Sequence, residues 1–256
     1  MNRSVGLVIP AYHPDISTLE AYVKNIQNIV EPTTILIELD SPRTETHNEL
    51  TDQGFQVNTV PYRRGKGAAI TAGFEALDTD ILAFADADGA TAPASLANVI
   101  DPVQNGDIDL SVGSRRHPEA DIRSHQTYAR RILGDWFAWF ARRMLDAKLY
   151  DYQCGAKAIL ASAWSDVRKH LFESGFAWDI DLIAAAGALD LQIKEVPITW
   201  EDKPGSTVSP VRTSIDLANA LFAARHRAKR IKGSHLHQMI GSIENEPTSL
   251  VDQKHQ

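Results

Sequence analysis

Two aspartates one residue apart, Asp86 and Asp88, close the apolar run in "ILAFADADGATAP" (81–93). Residues two apart in an extended chain point the same way. Two carboxylates on one side of a strand end can hold a hard divalent cation, and Mg2+ is commonly bound by one or two carboxylates plus substrate phosphates. A turn competes with that reading, because Asp and Gly satisfy local hydrogen bonds and Gly tolerates positive φ. The stretch by itself balances the two. Gly65-Lys66-Gly67 opens a helical pattern, and a helix N-terminus beside glycines suits an anion; a plain turn into a helix competes. It is not a Walker A loop: Val60 occupies the slot of the first glycine, and no Ser or Thr follows the Lys-Gly pair. Arginine forks suit bidentate recognition of phosphate. Arg115-Arg116 follow a strand and a serine, Arg130-Arg131 open a long helical pattern, and Arg142-Arg143 lie three turns on. The strand-end position favours function for Arg115, whereas Arg142-Arg143 read as solvated helix charges. His13, His47, His117 and His125 have no metal-ligand spacing, and Cys154 reads as a packed thiol rather than a nucleophile.

These groups need a scaffold, and the hydrophobic pattern supplies one. "VGLVI" (5–9), "TILIEL" (34–39), "FQVNTV" (55–60), "DILAFA" (80–85) and "DIDLSVG" (107–113) read as strands. Between them, Ile16, Leu19, Val23, Ile26 and Val30 recur at helical spacing up to Pro32, "AAITAGFEAL" follows Gly67, and "APASLANVI" is a short helix. Strand, helix, strand repeats imply right-handed βαβ units and a mostly parallel sheet with helices on both faces. Ligands in such folds bind beyond the carboxyl ends of the strands. "PAYHPD", Asp40, the acids at 86 and 88, and "GSRR" all fall at such ends, so four polar loops are expected to converge on one edge.

The second half is less regular. "TYARRILGDWFAWFARRMLDAKLY" (127–150) is an amphipathic helix with Ile132, Leu133, Trp136, Phe137, Trp139, Phe140 and Met144. It fits a membrane interface, packing on the core, or a second copy of the chain. "CGAKAIL" is a candidate strand, "FAWDIDLIAAAGAL" a helix, and "LQIKEVPITW" (191–200) a strand whose Pro197 assigns it to an edge or bulge. A loop, "EDKPGSTVSP", leads to a last helix at about 211–231. The organisation expected is one α/β domain over 1–232 and a polar, disordered tail over 233–256.

The formal net charge of −7 and a pI near 5.7 argue against general nucleic-acid binding. A single cysteine cannot form an intrachain disulfide and fits a reducing compartment. The apolar start before Pro10 is too short for a signal core, and no run reaches the roughly 18–20 apolar residues that span a bilayer. A soluble or peripheral protein is expected.

Taken together, "VIPAYHPD", Asp40, "RGKGAAITAGFEAL", "FADADGAT" and "GSR" resemble the inverting GT-A glycosyltransferases of family 2. "DYQCGAKA", "FAWDIDLIAAA" and "IKEVPITWEDKPGSTVSP" look like its polyprenyl-phosphate branch, which contains the dolichyl-phosphate β-glucosyltransferases and dolichol-phosphate mannose synthases. The resemblance covers about residues 4–230. It implies a GT-A fold, Rossmann-like, and transfer of a hexose (glucose or mannose) from a nucleotide-diphosphate sugar to dolichyl or polyprenyl phosphate, at the cytoplasmic face of a membrane. Pro10, Ala11, Tyr12 and Asp40 would line the base and ribose, with Gly65, Lys66 and Ala87 also on the nucleotide sugar. Asp86 and Asp88 would hold Mg2+ or Mn2+. Arg115 with Arg130 or Arg131 would grip the acceptor phosphate, and Gln153, Trp178 and Asp179 would border the sugar. A homo-oligomer is compatible with it.

The chain departs from the family pattern in four places. "PAYHP" stands for the usual "PAYNE", "LDSP" for "DDGS", Ala90 where some mannose synthases have a Gln ligand, and Thr207 for a lysine. Three alternatives follow. A hydroxyl acceptor would need Asp179 as a general base. A nucleotidyltransferase would need a glycine-rich loop after the first strand, where Pro10-Ala11-Tyr12 stands. A non-catalytic nucleotide-sugar binding module would not need both acids.

Overall fold

Alternation along the strands decides which helices cover which face. In the computed structural model the first run becomes β1 (Val5–Tyr12), with Leu7 and Ile9 in one core cluster and Val8 in the other. Likewise β4 (Ile81–Ala85) sends Ile81, Ala83 and Ala85 to one side and Leu82 and Phe84 to the other, as the period of two requires. On the first side lie α1 (Ile16–Ile29), α2 (Thr44–Asp52) and α4 (Pro93–Gln104), through residues such as Leu19, Leu50 and Leu96. On the second lie α3 (Lys66–Ala76), α5 (Tyr128–Met144), α6 (Ala161–Val167), α7 (Trp178–Ala188) and α8 (Pro210–Ile231), through Ile70, Ala141, Trp164, Ile180 and Leu221. Residues 3–123, 128–201, 210–233 and 248–253 are described, with side chains in α5 and α8 from Gly134 and Leu217 onward.

The sheet adds β2 (Thr34–Asp40), β3 (Gln56–Val60), β5 (Leu110–Ser114), β7 (Ala156–Leu160) and β8 (Ile193–Pro197), in the order β3-β2-β1-β4-β7-β5-β8. All neighbours are parallel except β7, which runs antiparallel to both β4 and β5. The mostly parallel α/β reading therefore holds, with one reversed strand. That reversal has a consequence for function. The carboxyl ends of β1, β2, β4 and β5 share one edge, and β7 enters the sheet at the same edge, bringing residues 151–155 among the four loops.

Several elements differ from expectation. The helix α2 and the short α6 are additions; α2 buries only Leu50, so it lacks the apolar stripe that marks a helix in sequence. Pro14 and Asp15 suit the first turn of a helix by sequence, but Asp15 lies outside α1 as its N-cap, accepting from Thr18 N at 2.8 Å. The single strand expected over 191–200 is divided: β8 is an edge strand through Pro197, and β9 (Thr199–Trp200) pairs with β6 (Asp121–Ile122). The long helix stops at Met144 rather than near 150, and Lys148 Nζ caps it by donating to the carbonyls of Arg142 (2.5 Å) and Leu145 (2.7 Å). The loop 202–209 and most of the tail fall outside the described residues. Within the tail, 248–253 departs from the disordered reading: Leu250 is buried in the core cluster with α7 and α8, and its N–H donates to Leu171 O at 2.9 Å. The apolar pair Leu250-Val251 in an otherwise polar segment is the physical reason.

Candidate functional site

At the end of β2, Asp40 is 3 % exposed and pairs in register with Tyr12 of β1. Its Oδ2 accepts from the backbone N–H groups of Arg64 (2.7 Å) and Gly65 (3.0 Å), and its Oδ1 from Arg64 Nε (2.7 Å). Arg64 also meets the buried Glu38 at 2.8 Å, and Glu38 accepts from Asn58 Nδ2 at 2.9 Å. Asp40 thus fastens the loop before α3 to the sheet edge. Beside it, the Arg63 guanidinium lies 4.3 Å from the ring centroid of Tyr12, which is itself exposed.

Gly65 takes φ 98°, a left-handed conformation suited to glycine, and turns the chain into α3. One early amide of α3 finds an acceptor outside the helix: Ala68 N–H donates to Ser174 O at 3.0 Å. The side chain of Lys66 points into a cluster of acids, 2.9 Å from Asp86 Oδ1 and 3.2 Å from Asp179 Oδ2. Burial pulls the Lys66 pKa down, but the Asp179 and Asp86 carboxylates outweigh it and hold the ammonium above the usual lysine range. Asp179, second residue of α7, is 1 % exposed, and its other oxygen takes a 2.5 Å hydrogen bond from Lys157 Nζ. Lys157 is a fully buried residue of β7 that also donates to Cys154 O at 2.7 Å. The result is a row of alternating charges, Lys157, Asp179, Lys66, Asp86, leading from the core to the surface.

Asp86 leaves β4 with its N–H donating to Gly155 O at 3.0 Å. A Cβ on Gly155 would lie 1.9 Å from Asp86 Oδ2, so only glycine admits the carboxylate here. Asp88 follows in a turn whose Gly89 has φ 67°, and its Oδ1 accepts from Ala90 N at 2.9 Å. The turn reading of this stretch is therefore present in its geometry: Asp88 caps a turn, and as a residue it stays exposed. Surrounding protein, then the Asp86 charge, raises the Asp88 pKa above its ordinary value. The turn is held from outside by the β9 strand, through Ala92 N to Thr199 O at 3.3 Å and Glu201 N to Ala90 O at 3.0 Å. No cluster of three or more His, Cys, Asp or Glu with metal-ligand geometry occurs among the described residues.

After β5, Arg115 forms a bidentate pair with the buried Asp151, Nε at 2.7 Å and Nη2 at 3.0 Å. Burial would raise the Asp151 carboxyl, but the Arg115 guanidinium wins and holds it well below the usual carboxylate range. Glu195 of β8 grips the same loop, accepting from Tyr150 N at 2.8 Å and Asp151 N at 2.7 Å.

With Asp86, Asp88 and Asp179, two lysines and a clamped arginine gathered at one sheet edge, similarity to known proteins becomes informative. A family model described as glycosyl transferase family 2 matches residues 7–164. The chain belongs to this family. Among curated relatives, the dolichyl-phosphate beta-glucosyltransferase of Dictyostelium discoideum is 24 % identical over 88 % of this chain and 75 % of its own length. That of Homo sapiens is 28 % identical over 67 % of this chain and 55 % of its own. The glycosyltransferase AglD of Haloferax volcanii is 28 % identical over 62 % of this chain and 25 % of its own. The chain therefore spans a quarter to three quarters of these relatives. In three dimensions, glucosyl-3-phosphoglycerate synthase from Mycobacterium tuberculosis, solved with Mn2+, uridine diphosphate and glucosyl-3-phosphoglycerate, aligns with a TM-score of 0.63. At 19 % identity, covering 87 % of this chain and 80 % of that one, it establishes the shared GT-A fold.

Against family 2 expectations, most anticipated residues meet at one edge. Asp40, Lys66, Asp86, Ala87, Asp88, Arg115, Gln153 and Asp179 surround it, while Pro10 and Ala11 lie buried in β1, beneath the exposed Tyr12. Trp178 needs correction: its ring is 0 % exposed, packed on Phe84 and hydrogen-bonded to Thr71 at 3.0 Å, so it supports the site from the core instead of bordering a sugar. Arg130 and Arg131 fall in the first turn of α5, and their side chains are outside the described residues, as is Thr207. Sequence reading missed Lys157, Asp151, Glu195, Gly155 and the pair Glu38 and Arg64. A lysine and a glutamate inside apolar strands ("AKAIL", "IKEVP") were the available signals, since charges are rarely buried without partners.

Proposed function

We propose that the protein transfers a glucosyl group, with inversion, from a nucleotide-diphosphate sugar to dolichyl (polyprenyl) phosphate, assisted by Mg2+ or Mn2+ at Asp86 and Asp88. The observation that carries the acceptor class is the state of Asp179. Both of its oxygens are engaged by ammonium groups, Lys66 on one side and Lys157 on the other, and it is buried. With both oxygens already taken inside the protein, the carboxylate is not placed to receive a proton from an acceptor hydroxyl, and a hydroxyl acceptor needs such a base. A phosphate acceptor is already ionised and needs only cations to orient it.

The donor set fits a divalent cation. Two carboxylates are crowded at one turn, Asp88 is raised in part by Asp86, and both side chains keep solvent exposure. When bound, the cation supplies positive charge to the leaving diphosphate. The protein's own groups do the rest. Lys66 stands beside Asp86 as a fixed positive charge at the donor. Arg115, with Nε and Nη2 held by Asp151, keeps its remaining nitrogen for an acceptor phosphate oxygen. That oxygen attacks the anomeric carbon as the bond to the diphosphate breaks, and the nucleoside diphosphate leaves. No proton changes hands on the protein.

Relatives named dolichyl-phosphate beta-glucosyltransferase support glucose as the sugar. Among the described residues no helix is long and apolar enough to cross a membrane. A lipid acceptor then puts the protein at the membrane surface, on the cytoplasmic side in our reading. The test incubates pure protein with labelled nucleotide hexoses, Mg2+ or Mn2+, and either dolichyl phosphate or dolichol. Lipid-linked glucose is expected only from the phosphate. Transfer to a neutral glycan, with none to dolichyl phosphate, would sink the proposal.

A further inference from the structure

A second concave site lies beside the first and is unused by the reaction above. It is a cavity of about 450 Å3 lined by Arg116, Ala138, Trp139, Arg142, Arg143, Lys148 and Tyr150, with Asp135 its only acid. Four cations face one carboxylate, and that carboxylate is already paired with Arg116. Gly134 makes the pairing possible, because a Cβ there would lie 1.8 Å from the Arg116 guanidinium that crosses the helix. Arg142 and Arg143 are held differently. The Arg142 guanidinium lies 4.5 Å from the Tyr150 ring centroid and Arg143 lies 5.5 Å from that of Trp139. Neither has a carboxylate partner among the described residues. Stacking on a ring fixes an arginine while leaving its N–H fork for an anion.

The rim of this cavity is apolar and exposed. Trp139 is 53 % exposed, and Trp136, one turn earlier on the same face, is 65 % exposed with its ring 5.9 Å away. Phe140 carries the surface on to Phe222 of α8, which is also exposed. A protein with net charge −7 has placed two arginines that lack a carboxylate partner among the described residues next to its most exposed tryptophans. Tryptophan favours the boundary between hydrocarbon and headgroups, and lipid phosphates there match arginine forks. We propose that this cavity binds the phosphodiester headgroup of an anionic membrane lipid while Trp136 and Trp139 enter the interface. The helix charges that sequence alone reads as solvated thereby become a docking device separate from the catalytic edge.

The test uses vesicles without any transfer substrate, so it is independent of the transferase reading. Full-length protein is sedimented with vesicles of phosphatidylcholine alone, or of equal parts phosphatidylcholine and phosphatidylglycerol. Binding to the mixed vesicles only is expected. Near an anionic surface each basic side chain strengthens binding roughly fivefold, so the Arg142→Gln/Arg143→Gln double variant should bind on the order of 25-fold more weakly. A charge-matched Lys24→Gln/Lys194→Gln variant should bind nearly as the wild type does. Trp136→Ser/Trp139→Ser should lose the vesicle-induced blue shift of tryptophan emission. Circular dichroism checks that each variant is folded. Equal binding to neutral and mixed vesicles, or unchanged binding by the double arginine variant, overturns the proposal. So does a calorimetric titration in which inorganic phosphate binds through Arg142 and Arg143 while vesicles do not, which assigns the cavity to a soluble phosphate.

Discussion

Lys157 holds its ammonium in the interior only because Asp179 and the Cys154 carbonyl are within hydrogen-bond reach. Removing one partner of a buried pair strands the other charge, at a cost of about 3–5 kcal/mol. Asp179 keeps Lys66 as a partner, so Lys157→Met should lower the unfolding free energy obtained from urea titration by the lower end of that range, about 3 kcal/mol, although methionine fills a similar volume. Asp179→Asn should be costlier still, because the fully buried Lys157 loses its carboxylate partner and Lys66 is left with Asp86 alone. A double-mutant cycle on the pair should return a coupling energy, and additive effects would refute the ion row as a unit. Gly155 poses the opposite test. Alanine there must displace the Asp86 carboxylate, whose oxygen lies 1.9 Å from the new Cβ. The side chain is partly exposed and can swing away, so stability should change little. Transfer should fall about 100-fold, the scale on which small misplacements cost activity. Paired rate and thermal-melt measurements on Gly155→Ala separate these outcomes.

The reversed strand β7 explains why the site was only partly legible as sequence. The βαβ pattern predicts where β1, β2, β4 and β5 end, and so anticipates Asp40, Asp86 and Arg115 together. It says nothing of an antiparallel insertion, so Asp151, Gly155 and Lys157 reach the edge by a route that local periodicity does not encode. Trp178 failed for a related reason: "FAWDID" marks a helix start but not which residue faces the core, and the tryptophan turned inward while Asp179 turned to Lys66. The Arg115–Asp151 pair now joins the exit of β5 to the entry of β7. Its pH behaviour follows from the depressed Asp151 pKa. An aspartate unfolded titrates near about 3.9, so the stabilisation is complete above about pH 4 and is lost as pH falls toward the lower folded value. The stability gap between wild type and Asp151→Asn should thus be widest near neutrality and narrow steadily below about pH 4. A gap that stays constant through acid unfolding would deny the pair its role in joining the two strands.

On the scale of the whole molecule, the two faces of the sheet have unequal duties. The side with α1, α2 and α4 is a packed core, whereas the other carries the ion row, the aromatic rim of α5, and the docked segment 248–253. That segment connects to the site through a short series of contacts. Leu250 N–H donates to Leu171 O, and the next residues, Phe172 and Glu173, donate to the buried Asp181 at 2.8 and 3.2 Å. Ser174 O then accepts from Ala68 at the start of α3, two residues from Lys66. Loosening the far end should loosen the loop first, because a segment with few buried contacts opens below the global unfolding energy. Leu250→Ser removes one buried side chain and should cost about 2 kcal/mol. Hydrogen exchange over 171–177 should accelerate in this variant, while β1, β2 and β4 keep their protection. Uniform acceleration across the sheet would mean that the segment braces the whole fold, and no acceleration at 171–177 would mean that its docking is inconsequential. The outcome expected here, local release with the core intact, would make residues 248–253 a brace for the loop on which α3 presents Lys66.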